Sequence, residues 1–306
     1  MLRYILKRLL SMLLTLFLLA TAVFFLLRFI PGSPFTRERT LSPEIEALLR
    51  EKYNMDAPLW QQYLDYMGDL LHLDLGTSIQ MLGVRVNDMI RNAFPVSAAL
   101  GFWAILLVIV IGIPLGVLAA LKRGRWPDYL ISFLTTLGIA VPSFVIGSFI
   151  LYVFGERLGW LPPGGLYGWR SYIGPVLALG GFSMAFVTRL TRSSMLDVTS
   201  MDYIRTARAN GLPRGRIVFR HALKNALIPV VTYLGSTFAA IITGSFVVEK
   251  IFAVPGMGKY FVESINNRDY TVIMGTTLFF AALYVVMVFL VDVAYALIDP
   301  RIKLQD

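Results

Sequence analysis

Six apolar runs constrain this chain more than any other feature: residues 9–30, 95–121, 129–154, 173–190, 226–248 and 272–298. Each reaches or approaches the roughly 20 residues a helix needs to cross the hydrocarbon of a bilayer. The fourth is the weakest, because Gly174, Pro175, Gly180 and Gly181 interrupt it. Such residues are tolerated where neighbours satisfy the freed backbone groups. A soluble core cannot absorb this much apolar surface. Hydrophobic residues are 57% of the chain and charged residues 15%, against roughly 45–50% and 25% in soluble domains. The predicted fold is an all-α integral membrane protein with six transmembrane helices.

The first run has a second reading. Arg3, Lys7 and Arg8 precede an apolar stretch containing Ala20-Thr21-Ala22, which resembles a signal-peptidase site. The run continues through Val23, Phe24, Phe25, Leu26 and Leu27, past the normal length of a signal core, and so reads as a retained helix. Basic residues then set the orientation. The N-terminus has those three and no acid through Arg8, and the second connection has Lys122, Arg123 and Arg125. The fourth connection, 189–224, has eight Lys/Arg against Asp197 and Asp202, while the third and fifth are nearly balanced. Positive charge stays on the cytoplasmic side, which predicts both termini inside. The net charge of +9 needs no nucleic-acid partner.

The first connection, 31–94, then lies outside and carries nine acids against six bases. Ser42-Pro43 reads as an N-cap and first helical position, with Ile45, Leu48 and Leu49 on one face. Pro58 opens a second helix with Trp60, Tyr63, Leu64, Met67, Leu70 and Leu71 at helical spacing, ending before Gly76. Val86, Met89, Ile90 and Ala93 suggest a third. These helices form an external cap packed on the membrane face; the rival is helices lying flat in the lipid interface.

Signatures of chemistry are missing. With Cys 0 and His72 and His221 the whole of the histidine complement, cysteine nucleophiles, Cys-ligated metal and His-based metal sites drop out. A phosphate-binding loop fails at Gly258-Lys259, because Ala253 stands at the first glycine position and Tyr260 at the hydroxyl position. No cofactor is expected on this chain. Gly112-Ile-Pro-Leu-Gly116 matches Gly-x-x-x-Gly, which serves either ordinary close packing or a dedicated partner surface.

The informative segment is 200–220. Ser200 can cap a short helix made of Met201, Asp202, Tyr203, Ile204, Arg205, Thr206, Ala207, Arg208 and Ala209, with Asp202 and Arg208 matched to its dipole. Asn210-Gly211 stops it, glycine accepting a left-handed turn, and Pro213 prevents continuation. A second helix opens with Arg214, Arg216 and Arg220 and enters the fifth span. This makes a rigid lever with an exposed elbow; the alternative is a plain basic loop.

The run from Asp202 to Pro213, followed by Arg220-His221-Ala222-Leu223-Lys224-Asn225-Ala226, resembles the cytoplasmic loop of ABC importer permeases, in the branch importing dipeptides, oligopeptides, nickel and glutathione. In the wider superfamily the loop reads E-A-A-x-x-x-G-x9-I-x-L-P, and its helix docks on the ATPase subunit. Gly211 matches the glycine, Ala207 the second alanine and Leu223 the leucine. Arg205 stands where glutamate is usual, Thr206 replaces the first alanine and Lys224 replaces proline. Other stretches resemble the same branch: Pro31-Gly32-Ser33-Pro34, Asp74-Leu75-Gly76-Thr77-Ser78, Phe94-Pro95-Val96-Ser97, Trp160-Leu161-Pro162, Pro255-Gly256-Met257-Gly258, Arg268-Asp269-Tyr270, and the C-terminal run from Asp292 through Tyr295 to Asp299-Pro300-Arg301. The layout is most similar to the B-type subunit of oligopeptide permeases.

That resemblance implies a homologous second permease subunit, two ATP-binding subunits carrying ATP and Mg, an external substrate-binding protein, and a bacterial inner-membrane location. It also implies alternating access, with residues 202–209 transmitting the ATPase motion. Asp292 has two readings, since an acid within a span is a functional candidate: a structural hydrogen-bonding stripe with Tyr295 and Asp299, or a lining of the transport path. Arg28 is expected to reach the headgroups. Rival functions are import of nickel, glutathione or short oligosaccharides; a proton-driven secondary transporter, which normally needs more intramembrane acids; and a membrane-embedded enzyme, which needs a convergent polar cluster.

Overall fold

The structure, a computed structural model, describes residues 2–30, 43–242 and 245–298. Helices follow one another as α1 (Leu2–Phe29), α2 (Pro43–Lys52), α3 (Leu59–Leu71), α4 (Val86–Leu107), α5 (Ile113–Leu121), α6 (Trp126–Ala140), α7 (Ser143–Ile150), α8 (Arg170–Thr199), α9 (Asp202–Ala209), α10 (Arg214–Arg216), α11 (Leu223–Ile242), α12 (Phe246–Ile251), α13 (Met257–Asn266) and α14 (Tyr270–Ile298). Wider π turns at Val108–Gly112, Leu151–Arg157 and Ile217–Ala222 continue α4 into α5, extend α7 and join α10 to α11. The described residues contain one isolated β-bridge, Thr77 to Arg85, and no strand. Ser42, Pro31-Gly32-Ser33-Pro34 and Asp299-Pro300-Arg301 lie outside the described residues, as does the side chain of Tyr295.

Among the described residues, five helical stretches are long and apolar enough to cross a membrane, and the bent pair Trp126–Ala140 with Ser143–Arg157, at 106°, makes a sixth if it is one span. The run 129–154 is therefore not one straight span. Val141 precedes Pro142 and is extended, at φ −91° and ψ 125°. The proline ring disfavours helical backbone in the residue before it, and the helix breaks there. Other bounds differ from the hydropathy reading. Residues 86–94, read as a third cap helix, are the first turns of α4, which runs straight through Pro95. The fourth span is the full 30-residue α8, with Pro175 and the glycines inside it. The fifth stops at Ile242, and Phe246–Ile251 is a separate turn capped by the Ser245 hydroxyl, which accepts from the Val248 N–H.

The chain forms two compact units, residues 1–97 with 255–306, and residues 98–254. In the first unit, Phe24 and Leu27 of α1 bury against Ile79, Tyr270 and Met274. The cap helix α3 packs on α1 with Tyr63 and Tyr66, whose rings lie 5.5 and 5.7 Å from Phe24. Its opposite stripe, Trp60, Leu64 and Leu71, is exposed. Arg28 folds onto α3 and its own helix. Its Nε and Nη2 donate to Gln62 Oε1 at 3.1 and 2.9 Å, and its guanidinium lies over the Phe24 ring at 4.7 Å.

In the second unit the Gly-x-x-x-Gly stretch is resolved as packing within the chain. A Cβ on Gly116 would meet Thr191 Cβ at 2.5 Å and the Thr188 carbonyl at 2.6 Å. Thr188 Oγ1 donates to the Gly112 carbonyl at 3.1 Å. The two glycines thus let α5 lie directly on α8.

Candidate functional site

Eight residues are too few for a helix to be stable in water by itself, so α9 must be held by what it rests on. Ile204 and Ala207 turn inward and are buried with Val117 and Ala120 of α5, Met195 and Val198 of α8, and Ile217, Ala222 and Ala226 beyond the elbow. Asp202, Tyr203, Arg205, Thr206, Arg208 and Ala209 are exposed. One side of α9 is therefore an apolar foot, and the other a polar surface turned away from the unit. Asp202 and Arg205 face each other at 3.3 Å, a pair at 93% and 72% exposure that contributes little to stability. Tyr203 steadies the next helix: its hydroxyl accepts from Asn225 Nδ2 at 2.7 Å and donates to the His221 carbonyl at 3.4 Å.

The helix end is closed by backbone alone. Gly211 N–H bonds the Arg208 carbonyl at 3.0 Å and Leu212 N–H the Ala207 carbonyl at 3.3 Å. These two bonds make a Schellman closure, which needs a left-handed residue between them. Gly211 supplies it at φ +73°. Leu212 folds back onto the same apolar cluster. Ser200 does not cap α9. Its hydroxyl donates to the Asp197 carbonyl at 2.7 Å, closing the end of α8, and Met201 stands at the N-cap position without a side-chain bond.

The loop motif divides along the same line. Its retained positions are those the fold uses: Ala207 is buried, Leu223 packs on the cluster and Gly211 needs positive φ. Arg205, Thr206 and Lys224, where the residue differs from the common pattern, are all exposed.

Outside the loop, Asp292 of α14 pairs with Arg8 of α1, its Oδ2 accepting from Arg8 Nη2. This ion pair ties the first and last helices of their unit together. Sequence reasoning missed a highly connected acid. Asp269, 1% exposed, accepts from the Ser78 hydroxyl at 2.5 Å and from the N–H groups of Ile79, Gln80 and Val272 at 3.2, 3.2 and 3.3 Å. Two short motifs far apart in sequence, Asp74–Ser78 and Arg268–Tyr270, thus meet on one carboxylate. Likewise Ser97 Oγ accepts from the Met257 N–H at 2.9 Å, joining two others. Their separate appearance in the sequence was the available signal. At the loop's start, the Gly76 N–H holds the Asp74 carboxyl below its ordinary value, burial opposes this, and Arg85 adds to the lowering.

Comparison with known proteins follows this geometry. Residues 112–304 match the binding-protein-dependent transport system inner membrane component family, and residues 1–83 match its N-terminal companion. The chain belongs to this family. It is a multi-pass inner-membrane permease subunit of an ABC importer, a transporter that works with ATPase and binding-protein components. It is 48% identical over 308 residues to the dipeptide transport system permease protein DppB of Bacillus subtilis, covering 100% of this chain and 99% of the relative. It is 46% identical to the oligopeptide transport system permease protein OppB of Salmonella typhimurium, over 99% and 100% of the two chains, and 45% identical to OppB of Escherichia coli, again over 99% and 100%. Among solved structures, a chain of the inward-facing MetNI methionine ABC transporter aligns with TM-score 0.58 and 18% identity, over 69% of this chain and 96% of that one. An amino acid ABC transporter chain aligns with TM-score 0.52 and 18% identity, over 71% and 95%. These structures support the fold.

Proposed function

We propose that this permease subunit imports dipeptides or oligopeptides, with α9 as the helix that receives movement from an ATPase subunit. The observation that carries the cargo is likeness over the whole length to permeases named for dipeptide and oligopeptide transport. The lever reading is supported by a helix whose buried side is an apolar foot, whose Tyr203 reaches the next helix, and whose Asp202, Arg205, Thr206 and Arg208 are exposed. Apolar contact is not directional, so such a foot tolerates a tilt that a hydrogen-bonded joint would resist.

On this reading the complex holds a homologous second permease and two ATPase subunits, which supply nucleotide chemistry absent from this chain's motifs. Both termini and α9 face the cytoplasm, and the 31–94 segment faces outward, where the binding protein delivers cargo. The test is uptake into proteoliposomes by the purified complex with its binding protein, comparing a labelled dipeptide, a tripeptide, nickel ion and glutathione. Saturable ATP-dependent uptake of either peptide is the expected result. Uptake of nickel or glutathione alone would overturn the peptide assignment.

A further inference from the structure

The second unit contains an ion pair between a buried acid and a partly exposed arginine that neither the motifs nor the family description explains. Asp128, in the first turn of α6, is 3% exposed. Its two carboxylate oxygens accept from Arg192 Nε at 2.5 Å and Nη2 at 2.9 Å, a fork that fixes orientation as well as distance. Oδ2 also accepts the Gly124 N–H at 3.0 Å, and Ser132 Oγ lies 3.4 Å from Oδ1. Gly124, at φ +72°, is the turn between α5 and α6. One carboxylate therefore clamps the start of α6, the α5–α6 turn and the side of α8.

The place of this clamp on α8 is informative. Arg192 is followed within two turns by Met195 and Val198, which form the platform under Ile204 and Ala207 of α9. Val117 and Ala120, on the other side of that platform, belong to α5, which leads directly into the clamped turn. Two of the three supports of α9, those on α5 and α8, thus meet at Asp128, while Ile217, Ala222 and Ala226 hold it from beyond the elbow. The α6 helix meets α8 otherwise through small or apolar side chains, as where a Cβ on Gly138 would touch Ala185 at 2.9 Å. Those contacts bury surface but do not set a direction along the helix axis.

We propose that Arg192 and Asp128 are positioning residues for transport: they make α6 move with the platform of α9, so that displacement of the coupling helix reaches the broken span α6–α7. This rests on the reading of α9 as the ATPase-facing lever. The fork is what matters, because lysine keeps the charge at this place but supplies no two-pronged donor.

The experiment uses the assembled complex in nanodiscs and follows amide hydrogen exchange of residues 126–135 and 202–209, with and without ATP-vanadate trapping. In the wild-type complex both segments should change on trapping. In Arg192→Lys, and in the neutral double variant Asp128→Asn/Arg192→Gln, 202–209 should still respond while the response of 126–135 falls about tenfold, the scale of a typical coupling between sites. The double variant leaves no charge unpaired, so a purely structural pair would be replaced by it and the 126–135 response would return. That return, or an unchanged response in Arg192→Lys, would overturn the proposal. If the double variant does not accumulate, Arg192→Lys decides. A wild-type complex whose 202–209 segment does not respond would defeat the lever reading and the proposal with it. Parallel tripeptide uptake reads the cargo assignment separately, since its absence leaves the exchange result intact.

Discussion

Two places in this molecule join distant stretches of chain, and they do so by opposite means. Around Asp269 the joint is polar. One buried carboxylate collects a hydroxyl and three backbone N–H groups, and hydrogen bonds hold both distance and angle. Under α9 the joint is mainly apolar, with Ile204 and Ala207 set on apolar neighbours, Tyr203 bonded to Asn225, and Asp202, Arg205, Thr206 and Arg208 turned outward. The first arrangement has a single satisfactory geometry. The second keeps most of its contact area through a small rotation. A loop that must stay put and a helix proposed to move are built from different interactions for that reason.

The comparison is broken most severely at Asp269. Asp269→Ala leaves the Ser78 hydroxyl and the Ile79, Gln80 and Val272 N–H groups without their acceptor, which should destabilise that unit by at least about 3 kcal/mol. Membrane abundance and proteolysis of the 73–85 loop check this, and wild-type resistance in the variant would remove Asp269 as an anchor. Next in size is Gly116→Ala. Its Cβ would collide with Thr191 Cβ and the Thr188 carbonyl, costing roughly 1–3 kcal/mol by overpacking. A lowered melting temperature of the purified complex is the expected result.

At the elbow, Gly211→Val should act on coupling more than on stability. A β-branched residue at φ +73° carries roughly 1–2 kcal/mol of strain, but a Cβ there meets nothing within 4 Å. Membrane abundance should hold while ATPase co-purification or substrate-stimulated hydrolysis falls, with Gly211→Ala milder. Normal uptake with full coupling in Gly211→Val would make the loop a passive connection.

The smallest effect sharpens the polar side. Asp74 has a carboxyl lowered from 3.8 in the folded chain, so its stabilisation is present above 3.8 and fades as pH falls through the lower folded value. Because the Arg85 pair is partly exposed, Asp74→Asn should cost under about 1 kcal/mol. The mutant and wild-type loops should differ in proteolysis at pH 7 and converge in strong acid; equal rates at pH 7 would assign Asp74 no role.

Hydropathy made the spans readable, because a helix in lipid announces itself by length and apolarity. The break in the third went unread although Val141-Pro142 was its signal: proline is common enough in membrane helices that an apolar run does not say whether the chain bends or continues. The end of α9 was readable because Gly211 and Pro213 act within three residues of each other. Its beginning was misplaced because a serine between two helices can serve either one, and Ser200 serves α8. Asp128, Asp269 and Arg28 were harder. Each looks like an ordinary charge at the edge of a span, and the partner that gives it meaning, Arg192, Ser78 or Gln62, lies elsewhere in the sequence.

The division of α9 into an inward pair and an outward polar face has a consequence for descent. What makes these eight residues a helix at this place resides in Ile204, Ala207 and the turn at Gly211, none of which is offered outward as a polar contact. Asp202, Arg205, Thr206 and Arg208 contribute little to folding and are therefore free to be rewritten. On the proposed reading of α9, a lineage could adapt them to a new ATPase surface one substitution at a time without passing through a misfolded ancestor. Choice of partner can then drift within a family whose architecture stays fixed.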